Sequence, residues 1–252
     1  LAAIGSLARA QGIPLVVDEA HGAHFKFSPH FPRPALECGA SAAVQGWHKT
    51  MGSFTQSGIL LVNDESSKIC GIEDYLSLLQ STSPSYLLMA SLDAARKEWA
   101  ARGGEIAGRI LELTWDFRNK IAQLEGIFCL DRETINSPVL AGFDVTKLVL
   151  NAENLGLNGF ELGRELRERY HIQPEMASLE GVLLMVTLGD NQERMNCLFN
   201  ALKDLADRFP LRKRKAHPVW PDPGQTEMAL LPKDALKSRK RSVDLEQAEG
   251  LI

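Results

Sequence analysis

Residues Ile13-Pro14-Leu15-Val16-Val17 form an apolar run that stops at Asp18-Glu19. A continuous apolar run that ends on an acid reads as a buried strand of a parallel sheet, with its carboxylate at the C-terminal edge. A second short run, Ala42-Ala43-Val44, breaks off into Gln45-Gly46-Trp47-His48-Lys49, and Lys49 follows Asp18 by 31 residues. That interval suits one strand, a crossover and the next parallel strand. Open α/β sheets bind their ligands along the C-terminal strand edge, so the acid and the lysine are expected to face one pocket.

Lysine at such a turn is partly withdrawn from water, which disfavours the ammonium and lowers its pKa. The neutral amine attacks aldehydes, the chemistry of a Schiff-base lysine. A lone lysine in a loop is ordinarily solvated, and a lone acid after a strand is ordinarily a cap. The two together are what pyridoxal phosphate requires: a lysine for its aldehyde and a carboxylate for its pyridine nitrogen.

The segments at 18–24 (Asp18-Glu19-Ala20-His21-Gly22-Ala23-His24) and 45–57 resemble the ornithine/lysine/arginine decarboxylase family of pyridoxal-phosphate enzymes, fold type I. Trp47-His48-Lys49-Thr50 with Thr55-Gln56-Ser57 is similar to that family's cofactor-attachment signature. The resemblance continues through residues 83–93, through Asp144-Val145-Thr146-Lys147-Leu148 and through Leu155-Gly156-Leu157-Asn158-Gly159, spanning 1 to about 208 in order.

The resemblance implies a role for each site residue. Lys49 is the catalytic lysine that carries the cofactor as an imine, and Asp18 pairs with the protonated pyridine nitrogen. Ala20 packs on one face of the ring, His21 lies near the ring hydroxyl as a second catalytic group, and His48 sits by the phosphate. Gly46 departs from the pattern, because the family usually has a serine there whose hydroxyl is expected to bind phosphate; a backbone N–H is the available substitute. The implied reaction is α-decarboxylation of a basic amino acid in polyamine synthesis, with arginine slightly preferred over lysine and ornithine. The implied assembly is a homodimer or a higher homo-oligomer.

Composition accords with a globular enzyme. The chain has 252 residues, 44% of them hydrophobic, and a formal net charge of −4. That charge gives no general case for nucleic-acid or membrane partners. Cys38, Cys70, Cys129 and Cys197 have no metal-type or redox spacing, so no metal is expected and reduced thiols in a cytoplasmic protein are the natural reading. No apolar run approaches the roughly 18 residues of a membrane span.

The expected fold class is α/β: part of a mostly parallel sheet from a fold type I large domain, then a smaller α+β domain. Residues 1–125 are assigned to the large domain with its linker helices, 126–209 to the small domain, and 210–252 to a linker and the start of a C-terminal domain. Only Gly5, Ser6 and Gly12 precede Asp18 as small phosphate-cradle residues, so the chain is read as a fragment. Helices are expected with Leu88, Leu92, Ala95 and Trp99 on one stripe and, after Gly103-Gly104, Ile106, Ile110, Leu113, Phe117, Ile121 and Leu124. In the small domain Asn158 is expected to cap a helix, Asp190 another, and Glu175 to be a solvated loop carboxylate. Arg212-Lys213-Arg214-Lys215 with Pro218, Pro221 and Pro223 reads as a solvated linker. Two other readings compete: an α-oxoamine synthase-like acyltransferase, and a non-catalytic truncated chain.

Overall fold

The computed structural model describes residues 1–63, 71–131, 142–212 and 228–248. It divides into two compact units, Leu1–Arg214 and Lys215–Ile252.

In the first unit, helix α1 (Ala2–Ala10) leads into strand β1 (Val16–Asp18). Strand β2 (Ala42–Gln45), the short helix α2 (Trp47–Thr50) and strand β3 (Ile59–Val62) follow. The three strands form one sheet in the order β1-β2-β3. β1 runs parallel to β2, with Val16 opposite Ala42 and Asp18 opposite Val44, as the run-and-crossover spacing predicts. β3 is antiparallel to β2, with Gln45 opposite Ile59.

β1 departs from expectation in its burial. Val17 and Ala43 pack with Ala35, Ala40, Leu15 and Leu36, whereas Val16 is 61% exposed and Val44 45%. A strand with neighbours over both faces is apolar throughout; among the described residues, only one face of β1 has such neighbours.

Helix α3 (Ile72–Leu79) precedes α4 (Tyr86–Ile121), a single 36-residue helix. The Gly103-Gly104 pair does not divide it. A continuous buried stripe of Trp99, Ile106, Ile110, Leu113, Phe117 and Ile121 carries the helix through both glycines. Gly103 faces Phe27 so closely that an added Cβ would overlap the ring.

The second sheet is four-stranded and antiparallel, in the order β4-β5-β7-β6. Its strands are β4 (Phe128–Cys129), β5 (Lys147–Asn151), β6 (Met176–Ala177) and β7 (Val182–Met185). Leu148, Leu150, Val182 and Leu184 alternate along β5 and β7 into a core shared with α4, α5 (Gly159–Tyr170) and α6 (Gln192–Arg208). This is the expected α+β layer. Asn158 caps α5 in a reciprocal capping box with Glu161. The cap of α6 is Asn191, not Asp190: Asn191 Oδ1 accepts from the Arg194 N–H, while Asp190 Oδ2 is already taken by the Thr187 N–H. Arg118 fastens α4 to the sheet by donating to the carbonyls of Leu130, Val145 and Lys147.

In the second unit the described residues 228–248 include helix α7 (Pro232–Lys237) and are largely exposed, as expected. Of the basic and proline-rich stretch, Arg212 alone lies within the described residues, and Cys70 lies outside them. Cys38, Cys129 and Cys197 are free thiols. Among the described residues no helix is long and apolar enough to cross a membrane.

Candidate active site

The site begins where β1 and β2 end. Past the last ladder residues the two chains stay zipped: the Glu19 N–H donates to the Val44 carbonyl at 2.9 Å, and the Gly46 N–H to the Ala20 carbonyl at 3.2 Å. Asp18 Oδ1 accepts from the Ala20 N–H at 3.0 Å, closing a tight turn that holds the carboxylate at the strand edge. α2 is fastened at both ends by tryptophans. The Trp47 indole N–H donates to Gln45 Oε1 at 3.1 Å, and the Trp99 indole N–H donates to the Met51 carbonyl at 3.0 Å. Lys49 lies between these anchors, with its Nζ 3.1 Å from His21 Nε2.

A cleft of about 850 Å³ opens beside this pair. Asp18, Ala20, His21 and Lys49 line it, and Asp144 and Lys147 of the β5 segment contribute to its wall. Four of the five residues singled out from sequence therefore share one cleft, and Asp18 and Lys49 meet from neighbouring strand ends. His48 turns instead to the loop after α2, where its Nδ1 lies 2.6 Å from the Ser57 carbonyl. A carbonyl only accepts, so the proton of the neutral ring sits on Nδ1, and His48 can donate from Nε2 only as imidazolium.

Electrostatics give His21 a defined state. Burial, then the charges of Lys49 and Lys147, push its pKa below the ordinary 6.5, against weaker opposition from Glu175 and Asp18. The shift favours the neutral imidazole, whose Nε2 can accept a hydrogen bond from the Lys49 amine. Glu175 itself is an exposed loop residue, as expected. Burial acts to raise the Asp144 pKa, but the neighbouring His24, the charge of Lys147 and a hydrogen bond from the Thr146 hydroxyl outweigh it and hold the carboxyl well below its usual range. Lys147 Nζ is 3.1 Å and His24 Nε2 3.5 Å from Asp144 Oδ2.

Sequence reasoning missed Glu19, which is buried directly beside the exposed Asp18. Its Oε1 accepts from the Ala35 N–H and its Oε2 from Gln45 Nε2, both at 2.7 Å. The signal was present in the Asp18-Glu19 pair: successive residues at a strand end point to opposite faces, so one acid is exposed and the other turned inward, although both border the cleft.

Pyridoxal phosphate requires an amine and a carboxylate on a shared cleft. Lys49 and Asp18, with a neutral imidazole in hydrogen-bond reach of the amine, fit that requirement.

Comparison with known proteins gives the same direction. The family model for the major domain of Orn/Lys/Arg decarboxylases matches residues 1–194. The chain belongs to this family. The arginine decarboxylase of Bacillus cereus is 36% identical over 250 residues, covering 99% of this chain and 54% of that protein. The arginine decarboxylase of Bacillus subtilis is 34% identical over 255 residues, covering 100% and 52%. The chain thus spans about half the length of the curated relatives it matches. Among solved structures, lysine decarboxylase A from Pseudomonas aeruginosa superposes with a TM-score of 0.64 at 20% identity, over 77% of this chain and 33% of that one. The fold is the α/β fold type I.

Within this Orn/Lys/Arg decarboxylase chain, Gly46 has a structural consequence. A Cβ there would lie 3.1 Å from the Ala20 carbonyl oxygen and 3.2 Å from Lys49 Cδ, because the lysine side chain lies across the glycine. The Gly46 N–H is occupied by the Ala20 carbonyl. It is therefore not a free donor for a phosphate.

Proposed function

We propose that this chain forms the cofactor-bearing part of a pyridoxal-phosphate-dependent decarboxylase of a basic amino acid, with arginine the favoured substrate and a polyamine precursor the product. The observation that carries the reading is the meeting of Lys49, His21 and Asp18 in one cleft, with the lysine amine 3.1 Å from a neutral imidazole nitrogen. The curated relatives named arginine decarboxylase support the choice of substrate. On this reading residues 1–125 belong to the cofactor-binding domain, 126–209 to the small domain and 210–252 to the start of a third. The working assembly is a homodimer or a higher homo-oligomer.

When bound, pyridoxal phosphate supplies a sink for the electron pair left on Cα as carbon dioxide departs. Lys49 provides the amine that would hold the aldehyde, and His21 Nε2 orients that amine by accepting a hydrogen bond from it. Asp18, at the C-terminal end of β1, keeps a proton on the pyridine nitrogen. Ala20, on the cleft wall, would help to hold the ring. His48, held at Nδ1 by the Ser57 carbonyl, would offer its Nε2 to the phosphate, and Asp144 pairs with Lys147 at the cleft wall. The protein's share of the rate is orientation of the scissile bond against the ring.

The test uses the full chain mixed with pyridoxal phosphate and then reduced with borohydride. A mass adduct on the peptide carrying Lys49, absent in Lys49→Ala, is expected, together with carbon dioxide release from arginine. A wild-type chain that acquires no adduct overturns the reading and leaves a non-catalytic chain. Consumption of coenzyme A in place of carbon dioxide release assigns the acyltransferase chemistry instead.

A further inference from the structure

Beneath the cleft runs a line of buried hydrogen bonds that none of the roles above uses. Glu19 and Gln45 are both almost fully buried, at 8% and 5% exposure. The Trp47 indole N–H donates to Gln45 Oε1, Gln45 Nε2 donates to Glu19 Oε2, and Glu19 Oε1 accepts from the Ala35 N–H. Every direction in this line is fixed. Indole nitrogen only donates, so the Gln45 atom facing it is the oxygen, and its amide nitrogen must face Glu19. Both Glu19 oxygens then act as acceptors of N–H groups.

The line has a mechanical meaning. Glu19 follows Asp18 at the end of β1, Gln45 is the last residue of β2, and Trp47 is the first residue of the helix that presents Lys49. The bonds therefore join the two strand ends and the helix start, next to where Lys49 and His21 meet. We propose that Glu19 and Gln45 are positioning residues, which hold the Lys49 amine against His21 through the Trp47 indole. This rests on reading Lys49 as the cofactor-bearing amine, and it adds a buried acid with a role distinct from that of its neighbour Asp18.

The polarity of the line makes the proposal testable by exchange. In Glu19→Gln the new amide must give its oxygen to the Ala35 N–H, so its nitrogen faces Gln45. Gln45 then turns its own nitrogen to the Trp47 indole, and two donors collide. In Gln45→Glu two carboxylates face each other. The exchange Glu19→Gln/Gln45→Glu restores every bond. The Trp47 indole and the amide nitrogen introduced at position 19 both donate to the carboxylate introduced at position 45, and the amide oxygen at position 19 accepts from the Ala35 N–H.

The reactivity of Lys49 in the full chain toward trace acetic anhydride, read by peptide mass spectrometry across pH and normalised to the urea-unfolded chain, reports its position without cofactor. Each single variant is expected to raise Lys49 labelling about three- to tenfold, the factor that one ordinary hydrogen bond makes in an equilibrium. The exchange variant is expected to return labelling and its pH profile to the wild-type curve. Singles that lower the melting temperature but leave Lys49 labelling unchanged overturn the proposal, as does a folded exchange variant that labels like the singles. If a single variant does not fold, recovery of both fold and wild-type labelling in the exchange variant supports the proposal, and a folded exchange variant without that labelling refutes it. A wild-type chain with no pyridoxal phosphate adduct would count against the proposed function alone, because the labelling comparison still decides the positioning role.

Discussion

Adjacent glycines in α4 should respond to alanine with opposite signs. At Gly104 an added Cβ meets nothing within 4 Å, so Gly104→Ala should stabilise by about 1 kcal/mol, the usual difference between these residues inside a helix. Gly103→Ala carries the same helical gain, but its Cβ overlaps Phe27 Cδ1 and lies 2.6 Å from Cε1. The Trp99 ring, 4.8 Å away centroid to centroid, limits how far the half-buried Phe27 ring can give way. Inserting a methyl group into a packed core costs about 1–3 kcal/mol. Helix propensity cancels between the two variants, so their difference isolates the overlap. Urea melts of wild type, G103A and G104A measure it, with equal m values as the control. In thermal melts the same gap is about 2–4 °C per kcal/mol for a unit of this size. Finding G103A as stable as G104A would remove Phe27 from the face of α4, and with it the seating of the turn that follows His21 and His24.

Three further outcomes follow from the site. His21 should titrate below 6.5 in a proton NMR series. Between that value and its folded pKa the unfolded imidazole takes a proton the folded one refuses, so stability should fall as pH drops through the window, and His21→Gln should flatten that slope. Gly46→Ser should push the Lys49 side chain off position 46 while changing stability by no more than about 1 kcal/mol, because the backbone at φ −91° accepts any L residue. With the ammonium displaced, the His21 titration should move back toward 6.5, and an unmoved titration would mean that Lys49 does not lie across Gly46. Asn158→Ala, which removes the reciprocal cap of α5, should cost about 1 kcal/mol in denaturant melts; no measurable loss would mean that the cap contributes nothing.

Much of the site could be read from local pattern, because strand ends are written in local pattern. The apolar run ending at Asp18 and the break at Lys49 placed an acid and an amine at neighbouring parallel strand ends, and the register of Asp18 opposite Val44 bears that out. The Asn158 cap was equally readable, since a capping box is a four-residue signal. Features that depend on distant neighbours were not readable. The exposed faces of Val16 and Val44 depend on what packs above them, and the unbroken run of α4 through two glycines depends on a core remote in sequence, as in the Trp99 bond to Met51. The choice of Asn191 over Asp190 depended on Thr187 claiming the aspartate first.

By itself the sequence determined the main strands and helices, the parallel pair and a candidate amine and carboxylate at its ends, because each is set by periodicity and by residue chemistry at a chain break. Tertiary structure alone decided that Lys49 rests on His21, that Glu19 turns inward while Asp18 turns outward, and that Lys147 and Asp144 join the same cleft from the second sheet. The physical reason is that hydrogen bonds and charges act over a few ångströms of space, and those distances arise only after residues remote in sequence have packed together.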